Sequence, residues 1–292
     1  MSKVWFITGT SRGLGAAMAK AVLAAGDRLV ATARQPAQLD ALVQAYPDRV
    51  LALELDVTQS ASARAAVSRA VAHFGRLDVV VNNAGYANVS SVEDMPEEDF
   101  RAQIETNFFG VANVTRAALP VLRKQGAGHV IQISSIGGRL GSPGLSAYQS
   151  AKWAVGGFSE VLAREVGPLG IKVTVVEPGG FRTDWAGSSM RIDPYNEAYA
   201  GTVSAMSVYR NNPDASRGDP AKAALAIVKL AALETPPLRL LLGTDAVFLA
   251  RAISKQRAAE DEANRSLSET TDFDGLLDFA DTAVGKLMSG KS

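Results

Sequence analysis

Lys3-Val4-Trp5-Phe6-Ile7-Thr8-Gly9-Thr10-Ser11-Arg12-Gly13-Leu14-Gly15 is the stretch whose reading decides the fold. Its first half is a short, continuous apolar run, the pattern of a strand covered on both faces. Its second half is a glycine-rich turn that leads into an Ala-rich helical pattern over residues 13–25. Glycines let a backbone turn tightly and approach a pyrophosphate, and the helix N-terminus adds unpaired N–H groups and partial positive charge. The spacing is Gly-x-x-x-Gly-x-Gly, not the commoner Gly-x-Gly-x-x-Gly. Its position between a first strand and a first helix nevertheless marks a dinucleotide cradle, and Gly9, Ser11, Arg12, Gly13, Leu14 and Gly15 are assigned to it.

Beyond residue 25 the same alternation continues. Strands are predicted at 3–8, 28–33, 50–55, 77–82, 129–135, 171–177 and 238–243, and helices at 13–25, 37–46, 60–74, 97–124, 146–167 and 219–233. Apolar strands separated by helical segments predict an α/β fold: a single-domain, Rossmann-like, doubly wound parallel sheet of about seven strands, with helices on both faces. This domain is placed at 1–243. Residues 244–292 are expected to add a helical extension packed on it, with helices near 246–264 and 273–288. The connection 184–217 is long for a compact domain and carries Trp185, Met190, Tyr195, Tyr199, Met206 and Tyr209. It is read as a lid over an apolar substrate.

Composition narrows the function classes. Thirty basic residues balance 30 acidic ones, which leaves no net field for nucleic acid or anionic membrane. No apolar run approaches the ~20 residues of a membrane span. The chain enters its first strand at once, with no expected signal peptide, so a cytoplasmic location is expected. There is no Cys, hence no disulfide or thiol chemistry. His73 and His129 stand apart from any ligand cluster, and no metal is expected.

Tyr148 and Lys152 lie four apart in a predicted helix, on one face. A phenol beside an ammonium can have its pKa drawn from about 10 towards neutrality, which makes it a proton donor and acceptor. Ser135 ends the strand just before that helix. It is expected to meet the Tyr at the crevice where open α/β sheets bind ligands. At the end of the second strand, Ala31-Thr32-Ala33-Arg34 has a guanidinium where an NAD-binding chain usually has a carboxylate. Arg34, with Arg12, therefore favours NADP(H) over NAD(H).

Read in order, these motifs resemble the short-chain dehydrogenase/reductases over roughly residues 3–243. The agreements are Thr8-Gly9-x-x-x-Gly13-x-Gly15, Asp56-Val57, Asn82-Asn83-Ala84-Gly85, Asn107, Ser135, Tyr148-x-x-x-Lys152, and Pro178-Gly179 with Thr183. The resemblance implies that Asp56 and Val57 contact the adenine and that Asn83, Ala84 and Gly85 line the cofactor cleft. Pro178, Gly179 and Thr183 would hold the nicotinamide, and Asn107 would organise a proton path to Lys152. It also implies hydride transfer between NADP(H) and a small-molecule carbonyl or alcohol substrate, with Asn107, Ser135, Tyr148 and Lys152 catalytic. The alternative is a non-catalytic, redox-sensing regulator that binds NADP on the same fold. The extra carboxyl-terminal residues point to the longer steroid-, retinol- or carbonyl-reducing type. A homo-oligomer, dimer or tetramer, is expected through the helices around 97–124 and 146–167.

Overall fold

The computed structural model describes residues 2–183, 190–206, 212 and 215–288. The chain divides into two compact units, 1–250 and 251–292. In the first, seven parallel strands form one sheet. They are β1 (Val4–Ile7), β2 (Arg28–Ala33), β3 (Val50–Glu54), β4 (Val79–Asn82), β6 (Gly128–Ile133), β7 (Ile171–Pro178) and β9 (Arg239–Leu242), in the order β3-β2-β1-β4-β6-β7-β9. The strand order reverses between β1 and β4, and this switch point opens a crevice at the carboxyl ends of those strands.

Alternation along β1 shows how the sheet is covered. Val4 and Phe6 point to one face, where they pack with Val114, Ala118 and Leu122 of α5 (Gly110–Gln125) and with Ala63, Val67 and Ala70 of α3 (Ser60–Phe74). Leu162 and Val166 of α6 (Ser146–Val166) complete that layer. Trp5 and Ile7 point to the opposite face, onto Met18, Val22 and Leu23 of α1 (Gly13–Ala24) and Ala224, Ile227 and Leu230 of α8 (Pro220–Leu230). Both faces are dry, as a sheet made of continuous apolar runs requires.

Three details depart from the sequence expectations. The helix predicted over 97–124 is interrupted: α4 (Glu97–Ile104) passes through a π-helical turn, Glu105–Phe109, into α5. A small second sheet pairs β5 (Ala87–Val89) with β8 (Met190–Ile192) in parallel. In the second unit, the helix predicted over 273–288 is reduced to a 3₁₀ turn, Phe279–Asp281, and a short helix, Ala283–Met288. Gly275 at φ +79° and the Asp278 carboxylate, which accepts from Ala280 N at 2.9 Å, hold the backbone in turns instead. The helix Thr244–Ala263 runs across the boundary between the two units. No helix among the described residues is long and apolar enough to cross a membrane.

His129 shows what the dry sheet costs a titratable group. The Thr174 hydroxyl donates to Pro237 O at 2.7 Å, so His129 Nε2, 3.0 Å from that hydroxyl oxygen, is the donor of the pair. Nδ1 is buried without a partner among the described residues. Burial, with smaller contributions from Lys172 and Lys3, pulls the ring down to about 4. Below the ordinary histidine range the unfolded chain takes up a proton that the folded chain refuses, so stability falls as pH drops. Urea unfolding from pH 7 to pH 4 is expected to show this loss, on the order of 3 kcal/mol, shrinking markedly in His129→Gln.

Candidate active site

At the switch point, Thr8 joins two loops. Its hydroxyl oxygen accepts from Asn83 N at 2.8 Å and Ala84 N at 2.9 Å. The Asn83 amide donates back to Thr8 O at 2.9 Å and Gly9 O at 3.1 Å. The approach is so close that a Cβ on Gly15 would lie 2.0 Å from Gly9 O and 2.7 Å from Asn83 Nδ2. Gly9 and Gly13 both adopt positive φ, 68° and 56°. The first turn of α1 has neither a side-chain cap nor an acidic residue, so its leading N–H groups face the loop bare of side-chain oxygens. A backbone-lined cradle opening on a helix N-terminus fits a dinucleotide pyrophosphate. Ser11 and Arg12 are exposed on its rim, and Leu14 is half-buried against the sheet. Thr183 faces the cradle, its Cβ 3.7 Å from the position a Cβ on Gly13 would take.

The remaining sites fall on two sides of the reversal. Arg34, exposed, and Asp56 follow the adjacent strands β2 and β3. Asp56 Oδ1 accepts from Thr58 N at 3.0 Å and its hydroxyl at 2.8 Å, and Asn113 of α5 holds Val57 O at 3.0 Å. On the other side lie Ser135 after β6, Tyr148 and Lys152 in the first two turns of α6, and Pro178–Gly179 at the end of β7. The two groups thus flank the crevice on opposite sides of the strand reversal.

Asn107 sits in the π-helical turn and is wholly buried. Its amide donates to Gln103 O and Tyr86 O, both at 2.8 Å, while its carbonyl accepts from Tyr86 N at 3.2 Å. By taking the carbonyl four residues back, the side chain fits the widened turn around it. Gly85 lies between Asn107 and Lys152: a Cβ there would be 2.5 Å from Asn107 Oδ1 and 3.6 Å from Lys152 Nζ.

Tyr148 is only 6% exposed and is hydrogen-bonded to Ser135. Lys152 Nζ lies 5.6 Å from the centroid of its ring and donates to Ile133 O at 2.9 Å. The expectation that Lys152 lowers the phenol's pKa is corrected here. Burial pushes Tyr148 up to about 12, with the Ser135 hydrogen bond acting the other way, and burial pulls Lys152 down to about 8. Desolvation sets both directions, because each side chain is buried and it is the charged form of each that loses hydration. Ser135 Oγ also accepts from Gly137 N at 3.0 Å, which starts a 3₁₀ turn, Ile136–Gly138.

Sequence reasoning missed two carboxylates. Asp245 Oδ2 accepts from Gly180 N at 2.7 Å and lies 2.2 Å from where a Cβ on Gly179 would stand, so it fixes the loop after β7. Glu177 lies wholly buried one residue before Pro178. Neither has a local signal, since each acts on residues distant in sequence.

Beside Tyr148 lies an apolar cluster of Ala87, Val89, Leu145, Met190, Val203 and Met206, flanked by Ile192, Tyr195 and Tyr199. Polar contacts fasten its outer segment to the 88–99 region: Asn196 N donates to Asp94 Oδ2 at 2.8 Å, and Arg191 pairs with Asp99 at 3.2 Å. Trp185 and Tyr209 of the expected lid lie outside the described residues. Among the described residues no cluster of three ligating side chains suits a metal.

A model of the short chain dehydrogenase family matches residues 3–191. The chain is a short-chain dehydrogenase/reductase. It is 53% identical to the oxidoreductase BOA17 of Botryotinia fuckeliana (strain B05.10) over 92% of this chain and 98% of that one. A short-chain dehydrogenase from Streptomyces avermitilis superposes with a TM-score of 0.88 at 44% identity, covering 94% of this chain and 99% of that chain. A short chain dehydrogenase from Burkholderia cenocepacia, solved in complex with NADP, gives 0.72 at 26% identity over 90% and 97% of the two chains. Like others of its family, this short-chain dehydrogenase/reductase is an oxidoreductase.

The packing of Gly85 gives a structural prediction. Gly85→Ala places a methyl against the Asn107 carbonyl and breaks its bond to Tyr86 N. The loss is expected to be about 1–3 kcal/mol in urea unfolding, the cost of a disturbed buried hydrogen bond.

Proposed function

We propose that the protein transfers hydride between NADP(H) and a carbonyl/secondary alcohol pair, on an apolar ketone or hydroxy compound. The observation that carries this reading is the hydrogen-bonded Ser135–Tyr148 pair, with the Lys152 ammonium over the same ring. The pair stands on the β6–β7 side of a glycine cradle suited to a dinucleotide.

The nicotinamide, when bound, supplies or accepts the hydride. Tyr148, a protonated phenol at neutral pH, gives its proton to the oxygen of a reduced carbonyl. Ser135 donates a hydrogen bond to the same oxygen and fixes its place. Lys152 places its ammonium over the ring, and the positive charge of an oxidised nicotinamide, when bound, would favour the phenolate when Tyr148 must act as base. Asn107 keeps the Gly85–Tyr86 backbone beside Lys152. The apolar cluster of Val89, Leu145, Met190 and Met206 supports an apolar substrate beside Tyr148.

The preference for NADP(H) rests on Arg34, which stands where a carboxylate would repel a 2′-phosphate. The Burkholderia structure with NADP adds support by likeness. A homo-oligomer through the helical stretch 97–124 and α6 is supported by the exposed Phe109 of the π-helical turn and Trp153 and Val161 of α6.

Consumption of NADPH against a panel of ketones tests the reaction. Tyr148→Phe is expected to retain NADPH affinity within about threefold while turnover drops by about a thousandfold or more, since only the proton donor is lost. Near-normal turnover in that variant defeats the assignment. Arg34→Asp should shift the ratio of kcat/KM for NADPH over NADH by about 10- to 100-fold towards NADH, the worth of one charge-assisted contact.

A further inference from the structure

Glu177 has no exposed surface, and both of its oxygens are taken by arginines. Arg139 Nε donates to it at 2.9 Å and Arg139 Nη2 at 2.5 Å, while Arg239 Nη1 donates at 2.6 Å. Arg239 continues to Glu160 Oε1, through Nε at 3.0 Å and Nη2 at 2.7 Å. Two guanidiniums and two carboxylates thus form one balanced chain. Gly156 admits it: a Cβ there would lie 3.1 Å from Arg239 Nη2.

The anchor points are what give this chain meaning. Arg139 closes the 3₁₀ turn that Ser135 opens. Glu177 immediately precedes Pro178 and Gly179. Glu160 belongs to α6, the helix that carries Tyr148 and Lys152. Only Glu177 is fully buried, while Glu160 is half exposed, so the chain contributes little net stability: desolvation offsets attraction at the buried end and solvent screens it at the exposed one. It does impose direction: a bidentate guanidinium fixes distance and angle between the groups it joins.

We infer that Glu177 is a positioning residue that holds the Ser135 turn, the Tyr148 helix and the Pro178–Gly179 loop in a single frame. It touches no reacting atom, and it acts through Arg139 and Arg239. The inference rests on the function proposed above, because it assigns Pro178–Gly179 to the nicotinamide end of the crevice.

The test compares wild type with Glu177→Gln, which keeps the shape and removes the charge. NADP⁺ and 2′-phospho-ADP-ribose, which lacks nicotinamide, are titrated by calorimetry, and turnover is measured with NADPH and with NADPH deuterated at the transferred position. The variant is expected to weaken NADP⁺ at least threefold while leaving 2′-phospho-ADP-ribose unchanged. Turnover should fall at least tenfold, with a larger primary isotope effect. Arg139→Lys, which leaves Glu177 paired with Arg239, should show the same pattern to a smaller degree, and it stands in if Glu177→Gln does not fold. Equal weakening of both ligands, or a lowered melting temperature with turnover and isotope effect unchanged, overturns the inference. If wild type binds NADP⁺ but reduces no carbonyl, the proposed reaction fails while the affinity ratio still decides the role of Glu177. Failure of wild type to bind either ligand sinks both.

Discussion

Thr8 ends the first strand with a hydroxyl that accepts two backbone N–H groups from the loop after β4, at 2.8 and 2.9 Å. Those two strands are the ones between which the sheet reverses its order. Without that junction the glycine turn and the Asn83–Gly85 loop would be two independent surface turns. With it, Asn83 reaches back to two carbonyls of the turn, and the space beside Gly15 is too tight for any side chain. The cradle is therefore made of backbone, rigid and close-fitting, and the uncapped start of α1 faces into it. Each later feature of the crevice is placed with respect to this fixed floor.

Burial sets the chemistry above that floor. The first turns of α6 are tied to the end of β6, where Lys152 Nζ donates to Ile133 O, and carry Tyr148 into the apolar cluster, and the same desolvation acts in opposite senses on the two groups. It keeps the Tyr148 proton on and makes the Lys152 proton easier to lose. The buried phenol holds its proton more tightly than a free tyrosine does.

Much of the fold was legible because the strands of the main sheet are short and mostly apolar, with few polar interruptions, a pattern that reads as a covered parallel sheet when helices alternate with it. The glycine turn, Ser135, Tyr148 and Lys152 were legible for a similar reason: their spacing is local. What escaped depends on partners far away in sequence. The π-helical turn at Glu105–Phe109 arises because the Asn107 amide captures both its own helix and the Tyr86 backbone, which no periodicity encodes. The pairing of Ala87–Val89 with Met190–Ile192 joins three-residue segments about a hundred positions apart. The helix expected over 273–288 failed for the opposite reason. Its apolar spacing suited a helix, but Gly275, Asp278 and Thr282 supply turn geometry and capping oxygens that compete with helix hydrogen bonds.

Carboxylates hold the loop after β7 on both sides, by different means. Asp245 binds the Gly180 N–H directly, and its closeness to Gly179 leaves no room for a side chain there. Glu177 fixes the strand leading into the loop through two arginines. A loop restrained only by Asp245 would keep its own shape yet could shift as a unit relative to Ser135 and α6. A loop restrained only by Glu177 would start in the right place but lack the carboxylate that holds the Gly180 N–H. The two acids therefore do separate tasks, one setting the form of the loop and the other its register with the Ser135 turn and α6.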